Sequence, residues 1–408
     1  MIAINARPTP KLFGDPTVGQ VVDGVHVARG FDLGNVVHVA TAEGPVVIDT
    51  TSGVTQAAAA RDALAEASPG GATYVVYTHC HNDHTSGATA FVTDGTRDVV
   101  SHADLPSLIE RDHGCLGRWT RRHRAAQRGR PFDDPFPDRG YVPPSLTFDD
   151  ALDLEVGGLT FHLEHTEGES RDHLLVWIPE LKLLCPGDLI YPSFPNLSTP
   201  AVGPRPIEGW LASLERFMAL APEHLVGSHG PYVSGRESVA GVLGTYHEAI
   251  TSIWDQAQRA IDEGVPVDVA ARTIRLPGHL AGHPWLREIY GTVNWGVRAV
   301  YDRLTGWFDL TPGSLNPLPR AERDGVLVGL AGPARVLAEA RRALDAGRAQ
   351  LAVELVETVL AADEDDPDAL GLLVDACRAL RATSTSANEK GFYHSAIRTA
   401  QRQLDPRT

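Results

Sequence analysis

Positive charge is scarce in this chain: 36 Lys and Arg stand against 52 Asp and Glu, for a formal net charge of −16. Such a surface repels a phosphate backbone, so no general nucleic-acid binding is expected. Cysteine is nearly absent. Cys80, Cys115, Cys185 and Cys377 are scattered, with no CxxC pair and no disulfide framework, which suits a reducing compartment. No run approaches the roughly 18 uninterrupted apolar residues of a membrane span. The opening Met1-Ile2-Ala3-Ile4-Asn5-Ala6-Arg7-Pro8 lacks a charged-then-apolar leader. The expectation is a cytoplasmic protein that does not engage membrane. With 408 residues, 43% of them hydrophobic, two domains are favoured over one, and either is long enough to bury a core.

Histidine, by contrast, is concentrated where it counts. Tyr74-Val75-Val76-Tyr77 reads as a buried strand, and it runs directly into Thr78-His79-Cys80-His81-Asn82-Asp83-His84. His79 and His81 stand two apart on an extended segment, so both rings project to one side. Asp83 and His84 follow where the chain curls into a helix, and they can face a second point a few ångströms away. Imidazole and carboxylate are the ligands that a divalent metal such as zinc selects. Three His and one Asp within six residues read as half of a two-metal site. The competing reading is a surface loop that happens to be His-rich.

Around this cluster the pattern is α/β. Three short strand signals occur at Val21–Val27, Asn35–Ala40 and Pro45–Thr50, followed by an Ala-rich helix over Thr55–Ala67. Strand signals resume at Leu152–Leu163 and in a hairpin over Leu174–Cys185, and Ile207–Leu220 reads as an amphipathic helix. Between these lies Arg111–Arg130, with seven Arg against the single acid Asp112. It reads either as a solvated basic helix or as an insertion lending positive potential to an anionic substrate. Beyond about residue 235 only helical patterns remain, including Glu237–Asp262, Trp285–Arg303, Ala334–Ala346, Leu351–Ala361 and Asp368–Ala382. The boundary is drawn at 238/239: residues 1–238 α/β, residues 239–408 all-helical. Further ligands for a two-metal site must stand at strand ends on the edge that carries His79. Asp188 after Gly187 and His229 before Gly230 fit, though an Asp after Gly is by itself most often a turn former.

The run His79 to His84 matches the HxHxDH signature, and here the chain resembles the metallo-β-lactamase superfamily. That resemblance implies a four-layer αββα sandwich with two zinc ions at one edge. The segment Tyr290-Gly291-Thr292-Val293-Asn294-Trp295-Gly296-Val297-Arg298 through Gly306-Trp307-Phe308-Asp309 is similar to the helical dimerisation domain of alkyl sulfatases in this superfamily. The larger enzymes carry a third, lipid-carrier-like domain, for which no room is expected in 408 residues. By the resemblance, His79 and His81 hold one zinc; Asp83, His84 and His229 hold the other; and Asp188 bridges them. The remaining ligand is Glu169, as in the sulfatases, or His165 of His165-Thr166-Glu167-Gly168, as in most of the superfamily. Spacing back from Asp188 favours Glu169. His173 falls where a substrate-facing polar residue is common. Asn196 stands at the sulfate-holding Asn, while the matching Arg position is Ala201, with Arg205 its nearest replacement.

The implied activity is hydrolysis of an alkyl or related sulfate ester by metal-activated water, with Asp83, Asp188 and His173 at the reacting centre and Asn196 and Arg205 on the anion. A homodimer is expected, with Trp285, Ile289, Tyr290, Val293, Trp295 and Trp307 read either as apolar anchors of the interface or as internal core. The departure at Ala201 keeps a lactone, thioester or phosphoester hydrolase in view as the alternative. A non-catalytic scaffold is the remaining alternative, and a complete ligand set weighs against it.

Overall fold

The computed structural model describes residues 14–66, 70–130, 140–200, 203 and 205–405. A first sheet is built in chain order. β1 (Thr17–Val22), β2 (Val25–Arg29), β3 (Val36–Val39) and β4 (Val46–Ile48) form an antiparallel meander. β5 (Tyr74–Val76), β6 (Asp98–His102) and β7 (Leu146–Phe148) then add in parallel. Parallel neighbours require crossovers, and these carry α1 (Val54–Ala65), α2 (Asn82–Thr85), α3 (Leu105–His113) and α4 (Gly117–Gln127). The strand signal at 21–27 resolves into a hairpin, because Asp23-Gly24 turns the chain between β1 and β2.

The second sheet runs β13-β12-β11-β10-β9-β8. Its strands are β8 (Ala151–Val156), β9 (Leu159–His165), β10 (Leu174–Ile178), β11 (Leu183–Cys185), β12 (His224–Leu225) and β13 (Val233–Ser234). Side-chain alternation makes four layers. Val46 and Ile48 of β4 pack into a core shared with Leu174, Val176 and Ile178 of β10. Val47 points the other way, onto Ala57, Ala60 and Leu64 of α1. Leu175 and Leu184 point outward onto α5 (Ile207–Leu220) and α6 (Arg236–Asp262) through Trp210, Leu214, Tyr246 and Ile250. Both sheets are therefore covered on both faces, as expected of an αββα sandwich.

Packing divides the chain differently from the break at 238/239. One compact unit runs to Gly117 and continues, after an excursion, through Leu304; the other joins Arg118 onward to the chain from Thr305. α6, α7 (Val267–Thr273) and most of α8 (Val293–Thr305) belong to the first unit, because Ile253, Ala270, Val297 and Val300 share the core of Trp210. The expected helix over 285–303 begins only at Val293. Thr292 Oγ1 accepts a hydrogen bond from Trp295 N at 3.2 Å and so caps α8 there. The second unit comprises α9 (Pro312–Leu315), α10 (Arg320–Ala331), α11 (Pro333–Asp345), α12 (Ala349–Ala362), α13 (Pro367–Thr383) and α14 (Ala387–Leu404), with α4. α4 is tied to it by Gln127, whose amide donates to Asn388 Oδ1 at 2.7 Å. Arg118, Arg121, Arg122 and Arg128 are exposed. No helix among the described residues is long and apolar enough to cross a membrane.

Candidate metal centre

Strand ends of both sheets meet at one rim, and the ligand-type residues collect there. β5 ends at Val76, and the following residues place His79 and His81 side by side, with His79 Nε2 2.8 Å from His81 Nδ1. Asp83 and His84 follow on the single turn of α2. β9 and β10 are joined by the turn that carries Glu169. Asp188 comes directly after β11, and His229 after β12. Donor atoms of His79, His81, Glu169 and Asp188 lie within 4.8 Å of one another, as do those of Asp83, His84 and His229. Asp188 reaches both groups. Its carboxylate stands 3.9 Å from His79 Nε2, 3.5 Å from His84 Nε2 and 3.1 Å from His229 Nε2.

Each imidazole is aimed by its other nitrogen or by its neighbours. His84 Nδ1 meets Asp49 Oδ2 at 2.8 Å, and His229 Nδ1 donates to Leu33 O at 2.8 Å. Asp49 also accepts from Thr78 N, Thr78 Oγ1 and Ser228 Oγ, each at 2.8 Å. One carboxylate thus fixes the His84 ring and ties together the loops bearing His79 and His229. Carboxylate–imidazole pairs of this kind set the tautomer and raise ligand basicity. Asp49 sits at φ +59°, a strained value for a non-glycine residue, in the loop after β4. Asn35 secures the His229 loop by donating to Gly227 O at 2.9 Å and Gly230 O at 3.0 Å.

The electrostatics follow from burial. Burial opposes charge on His84, yet Asp188, Asp49 and Asp83 lift it well above the ordinary histidine range. Asp188 is buried as well, and His229 and His84 hold it well below the usual carboxylate range. Burial raises Glu169 to about 8 against the pull of Arg205. Burial likewise pushes the Tyr191 hydroxyl well above its ordinary value, with the Glu169 carboxylate as the next cause. His84 Nε2 and Asp188 Oδ1 are buried and make no hydrogen bond among the described residues. Buried polar atoms without partners are costly. Converging imidazole and carboxylate donors of this kind fit divalent metal of zinc's type.

Glu169 joins the His79–His81 group, its Oε1 3.5 Å from His81 Nδ1. His165 does not. Its Nε2 donates to Arg171 O at 2.8 Å and its ring stacks against His102, with centroids 4.4 Å apart. Glu169→Gln is therefore expected to lower bound metal and activity by one to two orders of magnitude, roughly the range seen when ligand support is lost. His165→Gln is expected to leave both within about twofold. A larger loss in His165→Gln, by metal analysis and initial rates, reverses the assignment.

His173 is expected at the reacting centre, and the structure shows both of its ring nitrogens engaged. Its Nδ1 meets Thr166 Oγ1 at 2.7 Å and its Nε2 accepts from Asp188 N at 3.1 Å, so neither nitrogen is left for substrate. Burial holds it neutral, near 3. Its ring thus packs against the backbone of Asp188. Gly187 makes this possible: at φ +55°, a side chain there would strike the His173 ring. Asn196 and Arg205 are both buried at the rim. Arg205 Nη1 donates to Glu169 Oε2 and to Asn196 O. With its amide oxygen turned to Arg205, Asn196 accepts from Nη1 at 3.1 Å. Ala201 lies outside the described residues. Sequence reasoning missed Asp49, Thr78, Ser228 and Tyr191; the only trace of Asp49 is an acid at the end of a strand neighbouring β5.

Comparison with known proteins accords with this architecture. Residues 29–229 match the metallo-beta-lactamase superfamily, and residues 266–403 match the alkyl sulfatase dimerisation family. A linear primary-alkylsulfatase of Pseudomonas sp. is 30% identical over 381 residues, covering 86% of this chain and 71% of that protein. An (R)-specific secondary-alkylsulfatase of Pseudomonas sp. is 26% identical over 413 residues, and an alkyl/aryl-sulfatase of Saccharomyces cerevisiae 22% over 401. The chain spans 61% and 62% of those two proteins. The solved structure of the stereoselective inverting sec-alkylsulfatase Pisa1 from Pseudomonas sp. superimposes with a TM-score of 0.87 at 24% identity, over 94% of this chain and 66% of that one. Fold, rim and relatives together make this chain a member of the alkylsulfatases of the metallo-beta-lactamase superfamily, a family of sulfuric-ester hydrolases.

Proposed function

We propose that the protein hydrolyses an alkyl or related sulfate ester, with water, to an alcohol and sulfate, at a centre that takes two zinc ions. The observation that supports it most is the single carboxylate, Asp188, standing within 4 Å of imidazoles from both donor groups. In this reading His79, His81, Glu169 and Asp188 hold one ion, and Asp83, His84, His229 and Asp188 the other. When bound, such metals lower the pKa of a coordinated water and so supply hydroxide near neutral pH. Asp83 and Asp188 orient the attacking water. Asn196 and Arg205 meet the anionic sulfate, and His173 and Asp49 hold the ligands in place.

The test is metal analysis with a panel of sulfate, phosphate, carboxylic and lactone esters. About two divalent metals per chain and turnover of a sulfate ester are expected. One metal or none after purification without chelator counts against the centre. Turnover confined to an uncharged ester or lactone favours the alternative, and one observation leans that way: Arg205 Nη1 is already engaged by Glu169 and Asn196.

A homodimer is the proposed assembly, supported by the dimerisation-family match over 266–403. The apolar anchors need revision. Val293 is buried in the core, while Trp285 packs against it half-buried. Trp307, Leu310 and Leu330 are 71%, 84% and 81% exposed, all in the second unit. Light scattering at micromolar concentration is expected to give the mass of two chains, and a one-chain mass rejects the dimer. No disulfide joins the four cysteines, three of which are buried, and this supports the cytoplasm as the compartment.

A further inference from the structure

Tyr191 lies three residues beyond Asp188, at the edge of the donor cluster. Its ring meets His229 edge to face at 5.9 Å between centroids, and Tyr290 at 6.4 Å. The side chain is only 3% exposed. The hydroxyl oxygen is buried and makes no hydrogen bond among the described residues. Arg205 Nε, on the same stretch of chain, is in the same condition. A guanidinium nitrogen only donates, and a phenol donates well, so what both lack is an acceptor. A sulfate monoester presents acceptor oxygens alone.

The backbone around Tyr191 is held from two sides. From α6, Tyr246 receives Tyr191 N at 3.2 Å, and its hydroxyl lies within donating distance of Tyr191 O and of Ser193 O, the latter at 2.6 Å. From the loop before α8, Arg287 O accepts Phe194 N at 2.9 Å and Ser193 Oγ at 3.0 Å. Ser193 Oγ in turn accepts Tyr290 N at 3.2 Å. Gly291 then passes so close that any side chain there would press on Phe194 O and Pro195 O. A hydroxyl kept without a partner in so rigid a setting is a cost to folding that phenylalanine would avoid.

We propose that the Tyr191 hydroxyl contacts the substrate, donating a hydrogen bond to a sulfate oxygen beside Asn196 and Arg205. This rests on the sulfate-ester reading above. It gives the segment from Asp188 to Arg205 three anion donors behind one carboxylate, a specificity element for tetrahedral anions over uncharged esters.

Tyr191→Phe tests it. The variant is expected to lose roughly 10²-fold in kcat/KM for the sulfate ester, the scale of one preorganised donor, and to bind inorganic sulfate at least about tenfold more weakly by calorimetry. Metal content should stay at the wild-type value, and Tm should hold or rise. Unchanged kcat/KM together with unchanged sulfate affinity overturns the proposal. So does a fall in Tm with a matching loss of metal, which marks a structural hydroxyl. Should the wild type turn over no sulfate ester at all, the functional reading fails, and the sulfate-binding comparison still decides whether Tyr191 contacts the anion.

Discussion

Asp188→Asn should abolish most activity, with kcat/KM falling at least about 10³-fold, and should leave the protein short of metal. The carboxylate stands within 4 Å of His79, His84 and His229 alike. An amide keeps its size but offers one acceptor where the carboxylate offers two, and turns its NH2 toward an imidazole nitrogen. His84 and His229 then lose the negative partner that holds their charge. His173 still receives the backbone N–H of residue 188, so the fold around the site survives. Metal analysis and initial rates on the same preparation check this. A variant that holds two metals and keeps more than a tenth of wild-type kcat/KM would remove Asp188 from the bridging role proposed for it.

Arg205→Ala is expected to strike stability and catalysis at once. Arg205 and Glu169 are both buried and bonded to each other, and truncating Arg205 leaves a buried Glu169 oxygen without its donor. Breaking a buried pair this way costs about 3–5 kcal/mol, which denaturant titration will read directly. Loss of an anion donor adds on the order of 2–4 kcal/mol in transition-state stabilisation, seen in kcat/KM. Arg205→Lys separates the two, since lysine restores charge without the planar fork. It should recover more stability than activity. Wild-type denaturation together with wild-type turnover in Arg205→Ala would dismiss both roles.

The seven donors that the structure brings together were visible in the sequence because metal chemistry constrains residue type and because strand ends announce themselves. His79, His81, Asp83 and His84 are local, so spacing alone exposes them. Glu169, Asp188 and His229 emerge from their order along the chain. The supporting residues are another matter. Asp49 and Ser228 are 179 positions apart, and no local pattern hints that they bond. Tyr191 reads as a tyrosine before a proline, and only packing reveals its buried hydroxyl. The packing break near Leu304 was equally hidden. Helical periodicity says that α6 has an apolar face, but not that this face belongs to Trp210 and Leu175.

That last point bears on how the chain can be divided. Leu175, Leu184 and Leu225 line the outer face of the second sheet, and Tyr246, Ile250, Ile253, Val297 and Val300 join Trp210 and Leu214 of α5 in covering them. A protein cut after residue 238 would keep every proposed ligand and α5, and still open the rest of that apolar face to water, a patch prone to stick to its own copies. The helices from α6 to α8 thus complete, with α5, the fourth wall of the sandwich. Recombination with other members of the family would have to exchange them together with the sheet they cover.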